Sequence, residues 1–233
     1  MKIGIMQPYF FPYLGYWQLI NAVDKFVIYD NVQFTKKSWI RRNRILMNQQ
    51  DLLFTLPLIK DSDFLDIRKR YLSDTYSSEK ERLLTLIKYA YKNAPRFQNV
   101  MPVIEKCINF ANNNLFEYTY YSIVQILEIL DIKTEIITSS NIDIDHSLRN
   151  KYRVIEICKA LGGDIYINSF GGMELYDKEE FQQHQLDLKF IKMSEIQYKQ
   201  FNHPFVKDLS IIDVLMFNEP GEIQQLLNEY ELL

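Results

Sequence analysis

The sequence predicts an α/β fold: a Rossmann-like, mostly parallel sheet interrupted by a β-hairpin excursion and a helical insertion. Three observations carry this. Short apolar runs such as Ile3 to Met6, Phe26 to Tyr29 and Ile165 to Ile167 lack polar alternation, the mark of strands covered on both faces. Helical periods separate those runs at both ends of the chain, as crossover connections require. Between them, from Ser78 to Leu130, the period stays helical without a strand.

The elements follow in order. Ile3 to Met6 is a strand, Tyr13 to Val23 a helix and Phe26 to Tyr29 a second strand, which together form a β-α-β unit. The connection Gln7-Pro8-Tyr9-Phe10-Phe11-Pro12 is held extended by its two prolines. Ile45 to Met47, the polar turn Asn48 to Asp51 and Leu52 to Leu58 read as a hairpin, with Asp66 to Tyr71 as a further extended segment joining it. Leu83, Leu84, Ile87 and Tyr91, then Val103, Ile104, Cys107 and Phe110, then Tyr121, Val124, Leu127 and Ile129 mark three helices; Ser77 and Ser78, ahead of Glu79 and Glu81, start the first. Alternation resumes with a strand at Glu135 to Thr138, a helix from Leu148 to Leu161 closed by Gly162-Gly163, a strand at Ile165 to Ile167, a helix from Lys178 to His184 and a strand at Leu188 to Ile191. Two closing helices are expected at Ser210 to Phe217 and Ile223 to Tyr230. The chain is thus expected to be one domain over 1–233, with an α/β core from 1–30 and 131–233, a basic hairpin excursion at 31–75 and a helical insertion or lid at 76–130.

Composition narrows the function classes. A hydrophobic fraction of 47% with 24% charged residues excludes disorder, collagen-like repeats and disulfide scaffolds. A net charge of −3 argues against wholesale wrapping of nucleic acid but permits one local basic surface. Cys107 and Cys158 lie in apolar helical patterns rather than a C-x-x-C pair, so no disulfide framework or zinc ribbon is expected. The opening apolar run is too short for a signal peptide and no later run is long enough to span a bilayer, so a cytoplasmic protein that makes no membrane contact is expected. Aromatic residues reach 14%, mostly Tyr and Phe; they suit a core bordering a cleft or a flat binding surface, and equally a coding bias toward Tyr, Phe, Ile, Asn and Lys.

In an open parallel sheet, ligands bind beyond the carboxyl ends of the strands. The residues expected there are Gln7 and Tyr9 after the first strand, Asp30, Asn31 and Gln33 after the second, and Asn168, Ser169, Gly171 and Gly172 after a later one. Gln7 offers an amide to a sugar hydroxyl or a base edge, or braces its own loop. Asp30 ends an apolar strand, where a carboxylate needs a partner or a function. The 168–172 loop suits either a phosphate-binding nest or a plain turn. The strongest charge signal is the run from Lys36 to Arg44, five cations in nine residues around Trp39. Arg41, Arg42 and Arg44 suit phosphates and Trp39 suits stacking on a ring, with Arg68 to Arg70 extending the rim; the alternative is a solvated hairpin face. His146, beside Asp145, and His203, between two aromatic residues, are candidate acid–base groups, whereas His184 reads as a solvated helix end. No zinc-site spacing occurs, so no metal site is expected. Ser210-x-x-Asp213 reads as a helix N-cap with an acidic first turn.

The opening Ile5 to Tyr16 resembles the start of the WbqC-like protein family. The likeness continues through Asp30 to Phe34, Lys37 to Ile45, Ala94-Pro95, Tyr152, Leu161 to Ile167 and Leu209 to Leu215, nearly end to end. The family pattern leads into Ser-Gly after the later strand, where this chain has Asn168-Ser169-Phe170-Gly171-Gly172. The resemblance implies a member of surface-polysaccharide (O-antigen) gene sets, modifying an amino sugar by acyl or aminoacyl transfer. On that reading the substrate is a sugar nucleotide, no cofactor is tightly bound, and the donor is acyl-CoA, aminoacyl-tRNA or ATP. Nucleic acid enters only as a tRNA donor. Asp30, His203 and His146 are then the candidate catalytic bases, and Gln7, Tyr9, Asn31, Gln33, Trp39, Arg41, Arg42, Arg44, Asn168, Ser169, Gly171 and Gly172 bind substrate. A fainter resemblance to nucleotidyltransferases and amide ligases carrying H-x-G-H leaves that chemistry as an alternative, although Tyr13-Leu14-Gly15-Tyr16 lacks both histidines. A non-catalytic sugar-nucleotide binding protein is the third.

Overall fold

The computed structural model describes residues 1–233. Its centre is a six-stranded sheet made of β1 (Lys2–Met6), β2 (Lys25–Ile28), β5 (Glu135–Thr138), β6 (Ile165–Ser169), β7 (Asp187–Met193) and β8 (Tyr230–Leu232), in the order β5-β2-β1-β6-β7-β8. The first five run parallel and β8 pairs antiparallel to β7. The remaining two strands, β3 (Arg42–Met47) and β4 (Gln50–Thr55), form a separate antiparallel hairpin. The α/β class with its hairpin and helices is therefore as the sequence predicts. Strand order reverses at β1, with β2 on one side and β6 on the other, which makes its carboxyl end the topological switch point.

Side chains alternate across each strand and so sort into two cores. Ile3 and Ile5 of β1 and Val27 of β2 pack with Val154, Ile157 and Cys158 of α5 (Asn150–Ala160) and Phe181 of α6 (Lys178–Gln183). Phe26, Ile28 and Ile167 face the other way, into a larger core with α1 (Leu14–Asn21), α4 (Leu115–Leu130) and α7 (Ile211–Phe217). The hairpin's Ile45 and Leu46 join this second core, as do α2 (Tyr76–Tyr91), α3 (Phe97–Ile108) and α8 (Pro220–Leu226). Each buried Ile or Val contributes about 1.5–3 kcal/mol. Much of the aromatic content is spent here: Phe10, Phe11, Tyr16, Trp17, Tyr91, Tyr118 and Tyr166 are fully buried.

Two expectations are corrected. Asp66 to Tyr71 does not extend the hairpin; it forms a short 3₁₀ turn at Ile67–Lys69, with isolated bridges Gln33–Asp66 and Tyr71–Asn114. Arg68 and Arg70 brace this turn: Arg68 Nη1 lies 3.7 Å from Asp30, and Arg70 donates to the Ser62 and Ile59 carbonyls beneath the Phe34 ring. The second closing helix ends at Leu226, and Tyr230 belongs to β8, because the last residues complete the sheet edge beside Lys192 and Met193. Both cysteines are buried and unpaired, and no helix is long and apolar enough to cross a membrane.

Candidate functional site

Alternation along β1 divides the carboxyl edge. Ile3 and Ile5 point to α5, so the next odd residue, Gln7, emerges on that side, while Met6 emerges on the α1 side. Two hollows result, one on each face of the sheet end, where the sequence led us to expect one.

The first hollow, about 450 Å³, is lined by Met6, Tyr9, Pro12, Tyr13, Trp39, Asn43, Arg44, Ser169 and Asp208. Its walls are fixed by buried polar anchors. Asn43, inward-facing on β3, donates its amide to the Phe10 and Phe11 carbonyls at 3.1 and 2.5 Å. Ser210 Oγ donates to the Phe11 carbonyl at 2.8 Å, and its backbone N–H donates to the Arg44 carbonyl at 2.9 Å. Tyr16 and Trp17 of α1 hold the other end of the loop through the Gln7 and Pro12 carbonyls. A Cβ at Gly15 would push the Tyr13 ring from its place on the wall.

Neighbouring outward residues of β3 fall on one face, so Arg42 and Arg44 both approach Trp39, each guanidinium 5.0 Å from the ring centre. Arg44 Nε also lies 3.4 Å from Asp51, whereas Arg42 has no carboxylate partner and donates to the Lys37 carbonyl. Burial pushes the Tyr9 hydroxyl up to about 12, with Tyr13 adding to the effect, and burial together with Asp208 raises Tyr13. Both phenols therefore stay protonated and can donate. Asp208 is the one carboxylate on the wall; it is exposed and held at φ 59°.

The second hollow, about 330 Å³, takes in Gln7, Tyr29, Gln33, Arg149, Asn150, Arg153 and Tyr176. Asn31 and His146 stand behind it. Arg153 donates to the Asn31 carbonyl at 3.2 Å, and its Nη2 lies 3.2 Å from His146 Nδ1, which is also 3.1 Å from Asn31 Nδ2. Two donors converge on that nitrogen, so it accepts and the ring proton sits on Nε2.

Of the residues expected from sequence, Tyr9, Trp39, Arg44 and Ser169 meet in the first hollow and Gln7 and Gln33 in the second. Asp30 joins neither. At 2% exposure it accepts from Ser139 Oγ at 2.8 Å and the Ser140 N–H at 2.9 Å, locking β2 to the turn after β5. Arg41 turns away and donates to the Leu56 carbonyl at 2.8 Å; burial, then Arg42 and Arg70, lower its pKa. His203 is exposed in the 198–208 loop and lines neither hollow. The 168–172 segment enters a 3₁₀ turn at Phe170–Leu175. Asn168 accepts from the Ser169 N–H and packs on Gly172, which has no room for a Cβ, while Gly171 borders a smaller hollow with Lys192.

Sequence reasoning missed Tyr13, Asn43 and Asp208 in the first hollow, and Arg149 and Arg153 in the second. The arginine pair carried a signal in its spacing of four beside His146, although Arg149 is the extended residue before α5 and only Arg153 lies on the helix. Asp208 carried none, since its place depends on a loop closing from far along the chain.

Fold and site together define a three-layer α/β protein with two hollows at the switch-point edge of a parallel sheet. Residues 7–225 match the WbqC-like protein family, and the chain belongs to it. It is 25% identical over 223 residues, 95% of each chain, to an uncharacterized protein of Mycobacterium tuberculosis (strain ATCC 25618 / H37Rv), Rv1507c. No solved structure matches the chain.

Proposed function

We propose that the protein is an N-acyl or aminoacyl transferase acting on a nucleotide-linked amino sugar, with the first hollow as the acceptor site. The observation that carries this reading is the set of groups on one wall system: the Trp39 ring beside Arg42 and Arg44, facing a hollow that also holds Tyr9, Tyr13 and Asp208. An indole suits the apolar face of a sugar or a base, guanidiniums suit a diphosphate, and phenol donors suit sugar hydroxyls.

Transfer to an amine needs a base, because only the unprotonated amine attacks. Asp208 takes that role here in place of Asp30, which is buried, tied to Ser139 and Ser140, and lines neither hollow. The amine nitrogen bonds to the thioester or ester carbonyl of the donor, Asp208 accepts the amine proton, and the carbon–sulfur or carbon–oxygen bond breaks. The leaving thiolate or alkoxide then takes a proton.

The test is thermal-shift screening with UDP- and dTDP-linked amino sugars, followed by mass spectrometry of each hit incubated with acyl-CoA or aminoacyl-tRNA. An acylated sugar nucleotide is expected. Pyrophosphate release from nucleoside triphosphates and Mg²⁺ without an acylated product would assign nucleotidyl transfer or ligation instead, and binding without turnover by any donor would leave a sugar-nucleotide binding protein.

A further inference from the structure

We propose that the second hollow is a phosphate-binding site, separate from the first and independent of the transferase reading. Arg153 is 3% exposed and has no carboxylate within salt-bridge distance. Its partners are neutral: the Asn31 carbonyl, His146 Nδ1 and, at 5.7 Å, the Tyr29 ring. Its Nε is buried with no hydrogen-bond partner at all. A buried cation with an idle donor is costly unless an anion completes it. An idle Nε is shared by Arg70, whose partners are the Ser62 and Ile59 carbonyls; what sets Arg153 apart is its place on the wall of a hollow at a helix start.

What faces Arg153 across the hollow suits an oxyanion. The hollow lies at the start of the eleven-residue helix α5, whose N-cap, Arg149, contributes no side-chain cap bond, and the N–H groups of Asn150, Lys151 and Tyr152 have no acceptor within the protein. Helix starts of this kind favour anions through both the free donors and the dipole. Arg149 brings a second guanidinium with no acidic partner, and the Gln7 amide, also unbonded, brings donors from the end of β1. No carboxylate lines the hollow, so nothing there opposes a negative charge. Two guanidiniums, an amide and a helix start match a phosphate group, which presents several acceptor oxygens at once.

The experiment titrates the intact protein with inorganic phosphate, pyrophosphate and UDP at constant ionic strength, reading the thermal midpoint and the Arg153 Nε–H resonance in a nitrogen-15 spectrum. Saturable binding that moves that resonance is expected. The tightest of the three then names the source: free phosphate, a diphosphate or a nucleotide. Arg153→Met removes the buried cation but risks the fold, so two further variants carry the test. Arg149→Ala, at an exposed position, should weaken binding about tenfold. Gln7→Glu should place a carboxylate among the guanidiniums, abolishing binding while keeping the protein folded. Failure of all three anions to bind, or binding that both variants leave unchanged, overturns the proposal. Loss of transferase activity with phosphate binding intact would count against the first hollow only.

Discussion

Asp213 gives the sharpest quantitative test of how the first hollow is held. It lies in the first turn of α7 with no exposed surface, and its carboxylate receives Tyr91 Oη at 2.9 Å, Tyr198 Oη at 2.7 Å and Gln200 Nε2 at 2.6 Å. No cation reaches it. The three donors favour the charged form, but burial outweighs them and raises its pKa from 3.8 to about 6. That difference corresponds to about 3 kcal/mol, because the folded state binds the proton more tightly than the unfolded chain. The sign follows: the contribution is fully present below about pH 4 and is lost as pH rises through about 6. Asp213→Asn removes the titration. Urea unfolding of both proteins across that window should show the stability of the natural protein, measured against the variant, falling by up to about 3 kcal/mol. The amide must turn a donor toward one of the three groups, which shifts the variant's stability by a constant and leaves the pH dependence as the readout. A difference that stays flat from about pH 4 to 7 would refute the reasoning, since the carboxylate would then be no harder to ionise when buried.

Other expectations follow from the same geometry. Asn43→Ala strands the Phe10 carbonyl and leaves the Phe11 carbonyl to Ser210 alone, and should cost about 1–3 kcal/mol in chemical unfolding, more than Arg42→Ala on the outward face. If the transferase reading holds, Arg44→Ala and Trp39→Ala should raise KM for the sugar nucleotide by more than they lower kcat, as loss of ground-state binding does. Asp208→Asn should lower kcat by about 10²–10⁴ with little change in KM, whereas Asp30→Asn should show its effect in the melting temperature. Burial pushes both the Cys107 and Cys158 thiols up to about 12, so neither should react with a disulfide reagent at neutral pH until the protein is unfolded.

The sheet was legible because its information is local. The apolar runs at Ile3, Phe26, Glu135, Ile165 and Leu188 each give a strand, and the helical period gives the helices between them. What was not legible is what long-range closure decides. Asp66 to Tyr71 has strand-like composition, yet Arg70 finds its partners in the Ser62 and Ile59 carbonyls and curls the segment into a turn. Asp213 looked like the acidic first turn of a capped helix, and Ser210 does cap it, accepting from the Ile212 N–H. The tyrosines that make Asp213 the hub of a buried network come from α2 and from the 198–208 loop. The basic run around Trp39 was visible as charge, but which arginines face outward depends on where strand alternation begins. The strand starts at Arg42, so Arg42 and Arg44 share a face while Arg41 falls outside the pattern.

That same alternation limits how any two ligands at this edge could meet. β1 pairs with β2 as far as Met6 and with β6 as far as Gly4, so the sheet separates a ligand beside Met6 from one beside Gln7. A phosphate held at the start of α5 and a ring stacked near Trp39 can approach each other only beyond the strand end, across Pro8 and Tyr9. Tyr9 is the side chain that leans from this crossing into the first hollow, 5.5 Å from the ring of Tyr16. Tyr9→Ala should therefore disturb both ligands' use of the edge, whereas Trp39→Ala should disturb only the first. If pyrophosphate binding responds equally to both substitutions, the two hollows communicate by some path other than this crossing.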